Sequence, residues 1–152
     1  MSNSNYEVFD LEEWLPLIDF NQEERSEFIN DQLLGSMLSE DYAANITVER
    51  KIVLVKRDLQ IVRRLKKRYN CKCQICGNNF LMDNGQYYCE AHHIVPVADD
   101  GDQTPENVLI LCANHHRMFH YAADSITIGA IVRGQREIRI GENTYTVRYK
   151  LR

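Results

Sequence analysis

Cys73-Gln-Ile-Cys76-Gly77, Glu90-Ala-His92-His93-Ile-Val-Pro96, Asn107 and Cys112-Ala-Asn-His115-His116-Arg-Met-Phe-His120 follow one another within one short segment. All five histidines and four of the five cysteines lie between Cys73 and His120. Packing alone does not call for such crowding, and the spacings are those of metal ligands.

Two Cys-x-x pairs build the first site. Cys73 and Cys76 flank a two-residue gap closed by Gly77, whose freedom at positive φ suits a tight turn facing one ion. Cys112 and His115 repeat that gap on a second arm. Three thiolates and one imidazole are a closed tetrahedral set for structural Zn2+, with no position left for a substrate. Cys71 and Cys89 are left over and are expected as free or buried thiols, although Cys71 is near enough to substitute as a ligand.

The second site gathers histidines. If residues 113–122 form a helix, His116 and His120 are i and i+4 on one face, and His115 is turned by about 100° toward the zinc. Glu90 to Val95 reads as a strand ended by Pro96 that delivers His92 and His93 to the same place. Neighbouring strand residues point to opposite faces, so both histidines serve one site only if the strand twists or ends there. The expected arrangement is a hairpin folded over a helix with a metal between them.

The flanks complete the outline. Val55, Leu59, Val62, Leu65 and Tyr69 form an apolar stripe on a helix expected from about Val48 to Tyr69, with Arg57, Arg63, Arg64, Lys66, Lys67 and Arg68 around it. This is either a solvated amphipathic helix or one that also lies along a phosphate backbone. After His120 the period changes to two. Ile126, Ile128 and Val132, then Ile138 and Ile140, then Tyr145, Val147, Tyr149 and Leu151 alternate with polar residues around Gly134-Gln135 and Gly141-Glu-Asn143, giving a small antiparallel sheet. The face bearing Thr146, Arg148, Lys150 and Arg152 is expected to be wet. Near the start, Asn21 caps a helix with Glu24 at its third position, followed by Phe28, Ile29, Leu33, Leu34, Met37 and Leu38. Trp14, Leu15 and Ile18 precede it, with Pro16 forcing a turn.

The net charge of −4 over 152 residues hides an asymmetry. Positions 1–45 carry 11 acidic residues against one basic, Arg25, and so −10; positions 46–152 carry 11 acidic and 17 basic, and so +6. A basic functional body with an acidic segment is implied, the segment repelling DNA, covering the basic surface, docking a partner or second copy, or capping the fold. No apolar run approaches the roughly 18 residues of a membrane span. Met1 leads into polar residues, so a cytoplasmic protein without a signal peptide is expected.

At the quoted residues, over about 58–122, the sequence resembles the HNH endonucleases, and within them the branch found in methylcytosine-specific, modification-dependent restriction enzymes. The resemblance implies an α+β protein with a ββα-metal core over residues 46–122, an acidic helical segment at 1–45 and C-terminal strands at 123–152. It further implies His93 as general base, Asn107 as the side chain that ties the loop and orients His93, and His92 and His116 as ligands of a catalytic Mg2+, Mn2+ or similar ion. His120 matches a position that is a third ligand in some members and meets phosphate in others. His115 departs from the commonest pattern, which has a fourth zinc-binding cysteine there. The implied activity is hydrolysis of DNA to 5′-phosphate and 3′-hydroxyl ends, in restriction, phage defence or phage DNA processing. Arg63, Arg64, Lys67 and Arg117 are the expected phosphate contacts. The alternative from another class is a zinc-stabilised DNA-binding module without catalysis, against which the histidine cluster counts.

Overall fold

A computed structural model describes residues 18–25, 48–95 and 104–150. Helix α1 spans Val48–Arg68, and of its expected stripe Val55, Val62 and Leu65 are buried while Leu59 and Tyr69 are half-buried. Asp58 is buried in the same stripe. The helix ends at left-handed residues Asn70 and Cys71, with φ of 51° and 53°, which turn the chain back.

Strand β1 (Phe80–Leu81) pairs with β2 (Tyr87–Tyr88) as a small hairpin. Strand β3 (Glu90–His93) then pairs antiparallel with β4 (Val108–Leu111), with Ala91 opposite Ile110 and His92 opposite Leu109. The expected strand Glu90 to Val95 thus stops at His93. Every residue of β3 and β4 is buried because this two-stranded sheet is covered on both faces. One face, carrying Cys89, Ala91, Val108 and Ile110, packs on Val62 and Leu65 of α1. On the other face Leu109 and Leu111 join Phe119, Ile138, Ile140, Val147 and Tyr149 in a second core. Fully burying one such aliphatic side chain contributes roughly 1.5–3 kcal/mol.

Helix α2 (Ala113–Tyr121) follows β4 after one residue, Cys112. Strands β5 (Ile126–Val132), β6 (Gln135–Ile140) and β7 (Asn143–Arg148) form the expected antiparallel sheet. Arg133 and Gly134, at φ of 51° and 73°, make the two-residue turn that suits a twisted hairpin. Within β5 the alternation breaks. A register shift between Ile128 and Ile131 turns Ile131 to the core and leaves Val132, expected inside, 65% exposed. Gly129 lies in that shift, where a Cβ would come within 3.0 Å of the Glu137 carbonyl oxygen. Thr146, Arg148 and Lys150 are exposed, as expected of the wet face.

Asn21 and Glu24 form a reciprocal cap: the Glu24 amide donates to Asn21 Oδ1 at 2.8 Å, and the Asn21 amide to a Glu24 carboxylate oxygen at 3.1 Å. The helix expected from Phe28 to Leu38, the turn at Pro16, and Leu151 and Arg152 lie outside the described residues. Cys71 and Cys89 are not free thiols. They are joined as a disulfide across Cα atoms 5.2 Å apart. The reversal after α1 carries Cys71 onto β3, on the face toward which Cys89 points.

Candidate metal centres and nucleic-acid cleft

Cys73, Cys76, Cys112 and His115 bring their ligand atoms within 4.8 Å of one another. His115 Nδ1 is 3.5 Å from Cys73 Sγ and 3.3 Å from Cys112 Sγ, and the sulfurs of Cys76 and Cys112 are 3.9 Å apart. Tetrahedral zinc with ordinary bond lengths implies edges of about 3.6 Å for S to N and about 3.8 Å for S to S. These three separations are close to the edges of a zinc-sized tetrahedron, and the remaining donor pairs lie within 4.8 Å.

Local sequence explains each donor. Gly77, at φ 74°, closes the first knuckle with its amide on the Cys73 carbonyl at 2.7 Å. Cys112 is the N-cap of α2, in extended backbone, and makes no side-chain cap bond, since its sulfur turns to the cluster. Burial pushes the Cys73 thiol up to about 11 and the His115 imidazole down. Burial thus disfavours the charged forms of both, and a divalent cation at the centre is what would hold Cys73 as a thiolate.

The second cluster is His92, His116 and His120, again within 4.8 Å. α2 divides its histidines as its period requires, His115 to the cysteines and His116 and His120 to His92. The two Nε2 atoms of His116 and His120 lie 2.9 Å apart. Behind His116, its Nδ1 meets a Glu90 carboxylate oxygen, and the Tyr88 hydroxyl donates to the other oxygen at 2.7 Å. Burial alone would raise the Glu90 carboxyl, but the bonds from His116 and Tyr88 and the charges of His116 and Arg117 hold it below the ordinary range. An ionised Glu90 accepts a hydrogen bond from His116 Nδ1–H and so leaves the His116 lone pair on Nε2, facing the other histidines. A carboxylate behind an imidazole is the usual support of a histidine ligand. The donor set therefore fits a divalent ion.

His93 does not join that cluster. Strand alternation holds to the end of β3, so His92 faces α2 while His93 faces α1, where its Nε2 lies 2.6 Å from Asp58 Oδ1. The expectation that both histidines reach one place is corrected accordingly. Asn107 clasps the chain just beyond: its Oδ1 accepts from the Val95 amide at 2.9 Å, its Nδ2 donates to the Val95 carbonyl at 2.8 Å, and its own carbonyl accepts from Ile94 at 2.8 Å.

An open cleft of about 1060 Å³ adjoins His116 and His120, lined also by Arg63, Lys66, Lys67, Arg117, Tyr87 and Tyr88. Of the four basic residues expected at phosphates, Arg63, Lys67 and Arg117 line it; Arg64 is exposed outside that lining. The acidic segment reaches the same cleft. Arg63 donates to both Glu24 oxygens, at 2.6 and 2.7 Å, and to the Asp19 carbonyl at 2.7 Å. Asn84 donates to Glu23 at 3.2 Å.

Three residues of the site escaped the sequence reading, each with a usable signal. Asp58 stands three residues after Val55 and four before Val62, inside the apolar stripe, where a carboxylate demands a partner. Glu90 shares the His92 face of a strand by simple alternation. Glu24 was read only as a cap.

Comparison with known proteins matches residues 73–126 to the family described as HNH endonuclease. The chain is also 32% identical over 82 residues to the Type IV methyl-directed restriction enzyme EcoKMcrA of Escherichia coli (strain K12). That match covers 53% of this chain and 30% of the relative, so the chain spans under a third of the relative's length. No described helix is long and apolar enough to cross a membrane. Residues 73–126, which carry both ligand clusters on a strand pair and the helix that follows it, are the part of the chain that matches the HNH endonuclease family.

Proposed function

We propose that this chain is a metal-dependent DNA endonuclease whose ββα core, within residues 46–122, hydrolyses phosphodiesters to 5′-phosphate and 3′-hydroxyl ends. The observation that carries the reading is the three-histidine cluster, two of whose members, His116 and His120, line a cleft together with Arg63, Lys66, Lys67 and Arg117. His92, His116 and His120 would hold the divalent ion, which supplies positive charge against the phosphate as negative charge builds on it and on the departing 3′ oxygen. Glu90 sets the tautomer of His116. His93 takes the proton from the attacking water, a role suited to an imidazole near neutral pH. Asn107 holds the loop that follows His93. The basic residues bind the strand by its phosphates, which gives affinity without sequence choice. Restriction or defence is the preferred setting, by analogy with the methyl-directed relative.

Supercoiled plasmid with Mg2+ or Mn2+ tests the activity, and analysis of the ends tests the polarity. Mild chelation should abolish nicking, added Mg2+ or Mn2+ should restore it, and about one zinc per chain should survive the treatment. Active protein without zinc would sink the two-metal reading. Protein that binds plasmid yet never cuts it, across several metals, would make the chain a DNA-binding module.

We also propose that the acidic segment covers the cleft, Glu24 holding Arg63 where a phosphate would. Burial raises the Glu24 carboxyl, yet the Arg63 bond, the Asn21 amide and nearby charge outweigh it and keep Glu24 ionised to below its usual range. The clasp is therefore charged at neutral pH and is lost as acid titrates Glu24. Because exposed pairs are worth about 0–1 kcal/mol, Glu24→Gln should tighten non-specific DNA binding only several-fold at low salt. The gain should fade as salt rises. Equal affinity of the two chains at low salt would leave residues 1–45 as a partner surface or a plain cap.

A further inference from the structure

Asp58 is a carboxylate that packing does not require. It lies on the face of α1 that covers the β3–β4 sheet, in line with Val55 and Val62, and is buried there. An aliphatic residue would fill such a position without the desolvation that a carboxylate suffers, and a buried charge persists only when paired. Its partner is the His93 ring, Nε2 to Oδ1 at 2.6 Å, with the two side chains 2% and 9% exposed. This distance is that of a strong, charge-assisted bond.

We propose that Asp58 is the positioning residue of His93. The inference rests on the reading of His93 as general base. By accepting a hydrogen bond from Nε2–H, Asp58 confines the neutral ring to one tautomer, so that the lone pair able to take a proton from water is on Nδ1. It also fixes the ring plane from a side opposite to the His92 cluster. Adjacent residues of one strand are thereby given separate supports: His92 packs against α2, and His93 is held from α1. Asp58 lies 15 residues before the segment that matches the family, so α1 supplies part of the reacting geometry from outside that segment. The logic is that of hydrolases in which an aspartate holds the base histidine in the correct tautomer and takes no proton itself.

The test uses the full chain, with single-turnover cleavage of a DNA duplex in Mg2+, DNA affinity, and nitrogen-15 spectra of the imidazoles. In the unsubstituted protein the His93 ring should show the Nε2–H pattern. Asp58→Asn should slow single-turnover cleavage by about 10²-fold or more, with DNA affinity changed less than about two-fold and metal content unchanged. Asp58→Glu should recover part of the rate. Placed on His93→Ala, Asp58→Asn should add no further loss, since a residue acting only through His93 has nothing left to act on. If Asp58→Asn does not fold, Asp58→Leu, which suits the stripe, takes its place. The proposal falls if His93→Ala is slow while the Asp58 variants cleave normally, if their loss persists in the His93→Ala background, or if the His93 ring is the Nδ1–H tautomer. If His93→Ala itself cleaves as the unsubstituted chain does, the base assignment falls first and takes the proposal with it.

Discussion

His93→Ala should leave a folded protein that binds DNA and keeps its zinc but cleaves about 10²–10⁴-fold more slowly, the usual contribution of a positioned general base. The expectation follows from where the ring sits. His93 is 3% exposed and lies on the face of β3 turned away from the histidine cluster. Removing it should therefore spare the three clustered imidazoles and the basic cleft, and with them metal and DNA affinity. His116→Ala should match it in rate but lose metal affinity as well, because it deletes the imidazole that Glu90 orients. Single-turnover rates, titration of Mn2+ and duplex binding on the same preparations separate the two. A His93→Ala chain that cleaves at the normal rate would refute the base assignment.

Cys112→Ser should have a larger effect of another kind, the loss of the folded segment itself. Its sulfur sits at the start of α2 and meets both His115 and Cys76. It thereby ties the knuckle at residues 73–76 to the helix that carries His116 and His120. Structural zinc in small domains contributes apparent binding energies of about 10–16 kcal/mol. Whole domains are stable by only about 5–15 kcal/mol. Forfeiting a substantial part of the first exceeds what the second can absorb. The variant should lose its zinc, its cooperative thermal transition and all cleavage together, unlike His93→Ala, which should lose only cleavage. Zinc content, circular dichroism melting and plasmid nicking measure this directly. A Cys112→Ser chain that melts cooperatively near the normal temperature without zinc would show that the cluster does not hold the fold.

Much of this was legible in the residues because the relevant geometry is local. A Cys-x-x-Cys turn followed by glycine sets two sulfurs side by side whatever surrounds it. The 3.6-residue period of α2 sends His115 one way and His116 and His120 another, and the two sites observed divide along that line. Likewise the stripe of α1, the reciprocal cap at Asn21 and Glu24 and the period-two strands after Ile126 depend on near neighbours. The change of face inside β5 was not legible, since a shift of register depends on how the strand meets its partner at Gly129.

Ligand types, their spacing, the division of histidines along α2 and the split of charge were determined by the sequence alone, since chemistry and helical period need no knowledge of distant contacts. Which element faces which was decided only in three dimensions. His93 meets Asp58 across 35 positions of sequence, Arg63 meets Glu24 across 39, and Cys71 meets Cys89 because the chain reverses after α1. β3 and β4 are buried on both faces and so carry no alternation to tell one side from the other. The packing of α1 on one face and of α2 with the C-terminal sheet on the other is what separates His92 from His93 and gives each its own support.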